Sequence, residues 1–134
     1  MAFKFEKLEV WDRALDLGDA VEAIAAGLPT HERFNLADQI RRAATSVALN
    51  IAEGSTGQTD AEQARFLGYA QRPLVEVVAC LHLVRRRGYL SDLEPLREAY
   101  RQSETLFRQL SAFRRSLGGT VREDEATYDL NAPF

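Results

Sequence analysis

Apolar residues recur at the spacing of an α-helix along most of the chain, and no segment alternates in the manner of a β-strand. Proline and glycine residues divide the pattern into four stretches. The predicted helices run from about Phe5 to Gly27, from Glu32 or Leu36 to Glu53, from Thr59 to Gly88, and from Ser91 to Gly118. Gly54 is expected to follow the second helix as a left-handed cap residue. The third and fourth helices open with capping-box spacing at Thr59 and Ser91.

Each predicted helix carries an apolar stripe that the core of a bundle can bury. The stripes comprise, in chain order, Val10, Trp11, Ala14, Leu15, Leu17, Val21, Ile24 and Ala25; Leu36, Ile40, Ala43, Val47 and Ile51; Phe66, Leu67, Ala70, Leu74, Val77, Leu81 and Val84; and Leu96, Ala99, Leu106, Phe107, Leu110, Phe113 and Leu117. The first stripe is wider than one bundle face needs. We therefore expect the first helix to meet another subunit as well.

Short connections between the helices favour an all-α, antiparallel, up-down-up-down four-helix bundle over residues 1–117. Residues 118–134 are acidic and lack periodicity, which predicts a mobile C-terminal tail. Pro73 interrupts the third helix, because it cannot donate a hydrogen bond to the Tyr69 carbonyl. Two outcomes are open: a kink at Pro73, or two shorter helices that meet at Arg72-Pro73.

Charge is distributed unevenly along the 134 residues, whose length suffices for one core. Residues 1–32 carry 3 basic and 7 acidic side chains, residues 33–117 carry 13 and 9, and residues 118–134 carry 1 and 4. Fifteen of the 17 basic side chains are arginine, which favours bidentate contacts to carboxylate or phosphate. The net charge of −3 therefore hides a basic body between two acidic segments, and it does not exclude a face that binds nucleic acid.

Signals for catalysis and for membrane insertion are weak. Cys80 is the only cysteine, so neither an intramolecular disulfide nor a thiolate metal cluster is expected. His31 and His82 have no second ligand at helical spacing, and no phosphate-binding loop or nucleophile motif occurs. No apolar run approaches the roughly 20 residues of a membrane span, and the N-terminus lacks the features of a signal peptide. We expect a cytoplasmic protein that is not an enzyme and has no cofactor, metal or membrane partner.

A polar ladder lies beside the apolar stripe of the second helix. Its members fall within an arc of about 80° on a helical projection: Gln39, Arg42, Ser46, Asn50 and Glu53. Polar groups beside a core need partners. These side chains therefore satisfy one another and the following loop, or fix a neighbouring helix, or bind a polar ligand.

The fourth helix carries the most regular charge pattern, an arginine row on the side predicted to face away from the core. Its members fall within about 40° of one another: Arg97, Arg101, Arg108 and Arg115. Such a row can follow a phosphate backbone, each contact adding salt-dependent affinity. It is also compatible with a solvated face. A third interpretation is an ion-paired interface with the acidic side chains of the first helix, which are Glu9, Asp12, Asp16 and Asp19.

A second basic patch is predicted on the third helix. Arg85-Arg86-Arg87 ends this helix, where arginines complement the helix dipole without any partner. Arg65 and Arg72 project to the same side as Arg86, so these three arginines form a further candidate site for nucleic acid.

Several short motifs occur in order along the chain. They are Phe5-Glu-Lys-Leu-Glu-Val-Trp11, Leu36-Ala-Asp-Gln-Ile-Arg-Arg-Ala-Ala44, Ser46 followed by Asn50-Ile-Ala-Glu-Gly54, Phe66-Leu67 to Ala70, and Gly88-Tyr89-Leu90. With these motifs the chain resembles, from Phe5 to Leu117, the bacterial four-helix-bundle family of 23S rRNA intervening-sequence (S23-type) proteins. Relatives of that family include the accessory protein of diversity-generating retroelements. Where relatives often carry a basic loop after the Asn50–Gly54 motif, this chain has no arginine.

The resemblance implies a closed bundle that assembles as a ring-like homo-oligomer, a pentamer, and in the retroelement branch it implies an RNA-binding accessory to a reverse transcriptase. Two hypotheses follow. In the first, the protein is a non-enzymatic oligomeric accessory that binds structured RNA or DNA through its arginine-rich helix faces and works with a nucleic-acid-processing protein. In the second, it is a structural or protein-interaction bundle that binds no nucleic acid, and its charges serve assembly and solubility.

Overall fold

The computed structural model describes residues 1–56, 59–118 and 132–134. Four α-helices account for most of them: α1, Glu9–Ala26; α2, Leu36–Gly54; α3, Asp60–Arg87; and α4, Glu94–Ser116. Short 3-10 turns at Lys4–Lys7 and Thr30–Glu32 precede α1 and α2. Within the described ranges there is no β-strand. The prediction of an all-α chain with four helices is confirmed.

Each helix packs against two others, as in a bundle. α1 contacts α2 and α4, and α3 likewise contacts α2 and α4. The predicted stripe of α2 is buried along its whole length. Six leucines of the α3 and α4 stripes have no accessible surface: Leu67, Leu74, Leu81, Leu96, Leu106 and Leu110. The last leucine of the fourth stripe, Leu117, is half-buried. Leu15 differs because it is 45% exposed, so the broad stripe of α1 is only partly buried within the subunit.

The predicted N-terminal cap is confirmed for α3 and is wrong for α4. The Thr59 hydroxyl oxygen accepts a hydrogen bond from the Glu62 backbone N–H at 3.1 Å. α4 begins at Glu94, whose N–H donates to the carboxylate of Asp92 at 3.0 Å. Pro95 lies in the first turn of α4, where its missing N–H costs no hydrogen bond. This proline favours a helix start after Ser91, and the fourth helix is correspondingly shorter than predicted.

Gly54 has a different role from the predicted one. It is the last residue of α2, and its φ is not positive, whereas Gly88 after α3 has a φ of 65°. A Cβ atom placed on Gly54 would lie 2.7 Å from the Cβ of Phe66. Glycine is therefore required here by the close approach of α2 and α3, and not by a left-handed conformation.

α3 continues through Pro73 as one helix, so the alternative of two shorter helices is wrong. Pro73 removes a helical hydrogen bond and costs a helix interior about 3 kcal/mol. The neighbouring Ala70, Leu74 and Val77 have no accessible surface. Burial of these side chains against the core offsets the loss and keeps the helix continuous.

Most of the predicted acidic tail, namely residues 119–131, lies outside the described residues. The described end of the chain lies against the bundle. The Phe134 ring centroid is 5.3 Å from that of His82 and 5.9 Å from that of Tyr100. Arg97 Nε donates a 2.8 Å hydrogen bond to the Phe134 carbonyl oxygen. Among the described helices, none combines the length and the apolar content that a membrane crossing requires.

Candidate nucleic-acid interface

The predicted arginine row of α4 is divided in the structure. Arg101 Nη2 donates to Glu94 at 2.6 Å and to Glu98 at 3.0 Å, and these hydrogen bonds raise the pKa of Arg101. Arg97 lies 3.6 Å from the same Glu94. The N-terminal end of the row is therefore matched by acids on the same helix.

Toward the end of α4 the sequence holds more arginines than acids, and Glu104 lies one helical turn before Arg108. Residues 105–118 include three arginines and no aspartate or glutamate. Arg115 is exposed, and Arg108 is half-buried, with a buried Nε that has no hydrogen-bond partner among the described atoms. The row on α4 therefore has acidic partners on the same helix at its N-terminal end and more arginines than acids toward its C-terminal end.

A cleft of about 510 Å³ lies between α3 and α4, hereafter the arginine cleft. It is lined by Arg65, Gly68, Tyr69, Gln71, Arg72, Val75, Phe107 and Arg114. The cleft brings together two predicted members of the second basic patch, Arg65 and Arg72, and adds Arg114. The third predicted member, Arg86, does not line the cleft. It follows Arg72 by 14 residues, or about 21 Å along the axis of α3 at about 1.5 Å per residue.

Gln71 holds the Arg114 side chain in place. This glutamine is 4% exposed, and its Oε1 accepts a 2.6 Å hydrogen bond from Arg114 Nη1. Its Nε2 donates to Ser111 Oγ at 2.7 Å and to the Phe107 carbonyl oxygen at 3.2 Å. All the polar atoms of the buried amide are therefore satisfied, and the guanidinium is fixed before any ligand arrives.

Gly68 provides the space in which Arg114 lies. A Cβ atom on Gly68 would lie 3.3 Å from Cζ of Arg114 and 3.4 Å from its Nη2. The guanidinium therefore lies directly on the backbone of α3. A side chain at this position would displace the arginine by a few tenths of an ångström.

An aromatic side chain stands beside these cations. Tyr69 is 39% exposed, and the Arg72 guanidinium carbon lies 5.7 Å from its ring centroid, within cation–π distance. Phe66 supports the tyrosine from behind in an edge-to-face arrangement, with 5.4 Å between ring centroids. Arginine and an exposed aromatic ring are thus combined in one cleft.

The arginine cleft lacks neutralising acids among the residues described as lining it. One lining residue, Arg65, is nevertheless paired with an acid, since its Nη2 lies 3.9 Å from Oε1 of Glu62 on α3. Residues 63–75 contain two arginines and no acid, and residues 105–118 contain three arginines and no acid. The contacts of Gly68 and Gln71 with Arg114 bring these two segments together. Arginines therefore predominate within these two segments, although Glu62, Glu76 and Glu104 border them.

The sequence pattern pointed to Arg65 and Arg72 but missed Arg114, Gln71 and Gly68. Gln71 was detectable, because it occurs on the apolar side of α3, at core spacing from Leu67 and Leu74. A polar side chain in that register requires a buried partner. Arg114 carries no comparable signal, since it lies in the polar run Arg114-Arg115-Ser116 at the end of α4.

The polar ladder of α2 makes local contacts. Asn50 Nδ2 donates to the Ser46 carbonyl oxygen at 2.9 Å and to its hydroxyl at 3.3 Å. Glu53 is exposed at the end of the ladder. Members near the start of α2 contact residues outside the ladder: Gln39 donates to Asn35 at 3.1 Å, and Arg42 lies 3.5 Å from Asp38. The five side chains are not gathered into one site.

A buried carboxylate connects the start of α2 to the end of α3. Glu32 accepts hydrogen bonds from the Tyr89 hydroxyl at 2.6 Å, from Asn35 Nδ2 at 2.8 Å and from Arg87 Nη1 at 3.0 Å. The bonds from Tyr89 and Asn35 lower the pKa of Glu32, and Glu32 in turn raises the pKa of Tyr89. Arg87 is therefore ion-paired within the subunit, although it is exposed to solvent like Arg85 and Arg86.

Within the described part of the chain, no group of three or more histidine, cysteine, aspartate or glutamate side chains is placed to hold a metal ion. Cys80 is buried, and this burial, followed by the charge of Glu76, raises the pKa of its thiol. A thiol of this kind is a packing residue and a weak nucleophile.

Comparison with known proteins agrees with the resemblance seen in the sequence. A family model described as 23S rRNA-intervening sequence protein matches residues 6–112. The matched range includes Arg65, Gln71 and Arg72 and ends two residues before Arg114. No curated protein matches the chain. Because the family model covers well over half of the chain, this protein belongs to the family of 23S rRNA-intervening sequence proteins.

Proposed function

We propose that this protein is a non-enzymatic, cytoplasmic accessory factor that binds RNA or DNA through the arginine cleft between α3 and α4. One observation carries the proposal: Arg65, Arg72 and Arg114 converge on a cleft whose lining, as described, contains no acid. Such a concentration of positive charge attracts phosphate groups and speeds their association. The family description refers to an rRNA element and names no reaction, which agrees with a binding role.

The proposal includes an antiparallel bundle that assembles as a ring-like homo-oligomer, a pentamer, as the family resemblance implies. Contacts between α3 and α4 support alternating helix directions, since Gln71 contacts Ser111 whereas His82, later in α3, contacts Tyr100, earlier in α4. The partial exposure of Leu15 supports a subunit interface on α1. A ring repeats the arginine cleft around its axis and so concentrates the positive field. A nucleic-acid-processing protein is the further partner that we propose.

A second candidate function is a structural or protein-interaction bundle that binds no nucleic acid. It is favoured by the exposed side chains of Asp12 and Asp16, which flank the exposed Leu15 on α1. On this account, Asp12→Lys with Asp16→Lys changes the mass of the assembly measured by light scattering. An unchanged mass would exclude this part of α1 from the subunit interface.

Filter binding of a structured RNA over a range of salt concentrations tests the proposed function. We expect the double variant Arg65→Gln/Arg72→Gln to bind at least tenfold more weakly than the wild type at low salt. The matched control, Arg13→Gln/Arg33→Gln, removes the same charge away from the cleft and should retain wild-type binding. Equal retention of RNA by the wild type and the cleft variant would overturn the proposal.

A further inference from the structure

We infer that copies of this chain pack head to tail, with the outer face of α1 on one copy against the outer face of the second half of α3 on the next. The inference rests on the oligomer in the proposed function and names the two faces that form its contact. Residues 65–75 of α3 line the arginine cleft, whereas the contact uses residues 79–87. The cleft therefore stays open in the assembly.

The outer face of α1 carries three aspartates that have no basic partner. Asp12, Asp16 and Asp19 are exposed, and none of them forms an ion pair within the described part of the chain. The other two acids of α1 each pair with an arginine of the same subunit. Leu15 falls with the aspartates in an arc of about 100° and is 45% exposed. This face thus joins negative charge to an uncovered apolar side chain.

The second half of α3 has the opposite charge. Residues 77–91 contain three arginines and no acid. Arg86 is exposed and has no ion pair among the residues that the structure describes. Ala79 and Leu83 fall with Arg86 in an arc of about 60°; both are exposed, Leu83 by 41%. This face thus joins positive charge to an uncovered apolar side chain.

α1 and α3 lie diagonally across the bundle. Each of them contacts α2 and α4, and within the described ranges the two do not contact each other. Their outer faces therefore lie on opposite sides of the subunit. A contact between two different faces repeats from copy to copy, and it closes into a ring when the rotation between copies permits.

Charge favours this head-to-tail contact over a two-fold dimer. A two-fold contact brings the same face of both copies together. Through α1 it would oppose aspartates to aspartates, and through α3 arginine to arginine, which is unfavourable at an interface. The head-to-tail contact instead places carboxylates beside guanidinium groups around Leu15 and Leu83. An apolar centre with a polar rim is the usual composition of an interface.

The first half of α4 is a poorer partner for the aspartates of α1. Its arginines, Arg97 and Arg101, already lie beside Glu94 and Glu98 of the same helix. A second copy would have to displace these acids, whereas Arg86 needs no such exchange.

Disulfide trapping in the full chain tests the contact. Leu15→Cys and Leu83→Cys are introduced singly and together, and the native Cys80 is buried. We expect oxidation to link subunits into dimers and larger species only in the double variant, because neither face meets its own copy. Efficient cross-linking by either single variant would indicate a two-fold contact and overturn the inference. A double variant that forms no intersubunit disulfide would overturn it as well.

Charge reversal gives a second test, read as the mass of the assembly by light scattering. Asp12→Lys/Asp16→Lys and Ala79→Glu/Arg86→Glu should each lower the mass to that of a single subunit. The chain that carries all four substitutions should regain the wild-type mass, because the attraction is restored with the signs exchanged. All four positions are exposed, so circular dichroism should show an unchanged fold.

The matched control is Glu53→Lys/Asp60→Lys, which changes the charge equally at exposed positions outside both faces and should keep the wild-type mass. The inference is wrong if the fourfold variant stays dissociated, or if neither double variant changes the mass. If the wild type itself has the mass of one subunit, both the inference and the proposed ring fail. RNA binding is decided separately, by the filter-binding comparison of the wild type with Arg65→Gln/Arg72→Gln.

Discussion

Arg114 donates a 2.6 Å hydrogen bond to Gln71, a side chain of the neighbouring helix that is only 4% exposed. A buried amide that is fully hydrogen-bonded restricts the conformations of its partner. The position of the Arg114 guanidinium is therefore determined by the packing of α3 on α4. This arrangement makes Arg114 a fixed part of the wall of the arginine cleft.

Gly68→Ala should weaken RNA binding without lowering the stability of the fold. The new methyl group displaces the Arg114 guanidinium, whose flexible end can shift by a few tenths of an ångström. Alanine also favours the helix over glycine by up to about 1 kcal/mol. We expect urea denaturation to show unchanged or slightly raised stability, while RNA affinity measured by anisotropy falls severalfold. Unchanged affinity in a stable variant would show that the position of Arg114 is unimportant for binding.

Arginines of α3 and α4 should contribute unequally to binding. Arg101 is already paired with Glu94 and Glu98, so Arg101→Gln should change RNA affinity by less than about twofold. Arg72→Gln should lower affinity clearly and make the salt dependence shallower by about one phosphate contact. Titrations of both variants at two salt concentrations check this order. A larger loss for Arg101→Gln than for Arg72→Gln would place the binding face on the first half of α4.

Glu32 should make folding stability depend on acidic pH. Its folded-state pKa lies below the ordinary glutamate value of about 4.3, mainly because of the hydrogen bond from Tyr89. The stabilising contribution is therefore complete above that value and is lost as pH falls through the lowered pKa. Glu32→Gln should lower the Tm at pH 6–7, and the difference from wild type should shrink below about pH 4. A difference in Tm that is constant between pH 3 and pH 7 would contradict this assignment.

Gly54 and Gly18 form a matched pair for testing helix packing. A Cβ atom on Gly54 meets Phe66 at 2.7 Å, whereas one on Gly18 meets nothing within 4 Å. Overpacking costs about 1–3 kcal/mol, which exceeds the gain of up to about 1 kcal/mol in helix propensity. Gly54→Ala should therefore lower the free energy of unfolding, and Gly18→Ala should leave it equal or raise it. Equal stability of the two variants would contradict the close approach of α2 and α3.

The four helices were largely predictable because the residues that each helix buries recur in the sequence at helical spacing. Leu36, Ile40, Val47 and Ile51 recur at helical spacing, and the structure buries all of them. The role of Gly54 was not predictable, since its reason lies in Phe66 on another helix. The start of α4 was wrong for a different, local reason, because Pro95 outweighs the capping-box pattern at Ser91.

The arginine cleft was predictable only in part, because it depends on how two helices face each other. Arg65 and Arg72 share one side of α3, and spacing alone indicates this. Arg114 joins them through Gln71 and Gly68, and no pattern within α4 specifies that contact. The regular spacing of the arginine row on α4 is visible in the sequence. The pairing of Arg101 with Glu94 and Glu98 depends on side-chain conformations, and spacing does not specify these.

The salt dependence of RNA binding tests the central claim most directly. For single strands, the slope of log affinity against log salt is about −0.7 for each phosphate contact. The triple variant Arg65→Gln/Arg72→Gln/Arg114→Gln should therefore have a slope shallower than that of the wild type by about 2. The control Arg13→Gln/Arg33→Gln/Arg41→Gln removes equal charge outside the cleft and should keep the wild-type slope. Identical slopes for the wild type and the cleft variant would show that the arginine cleft does not bind nucleic acid.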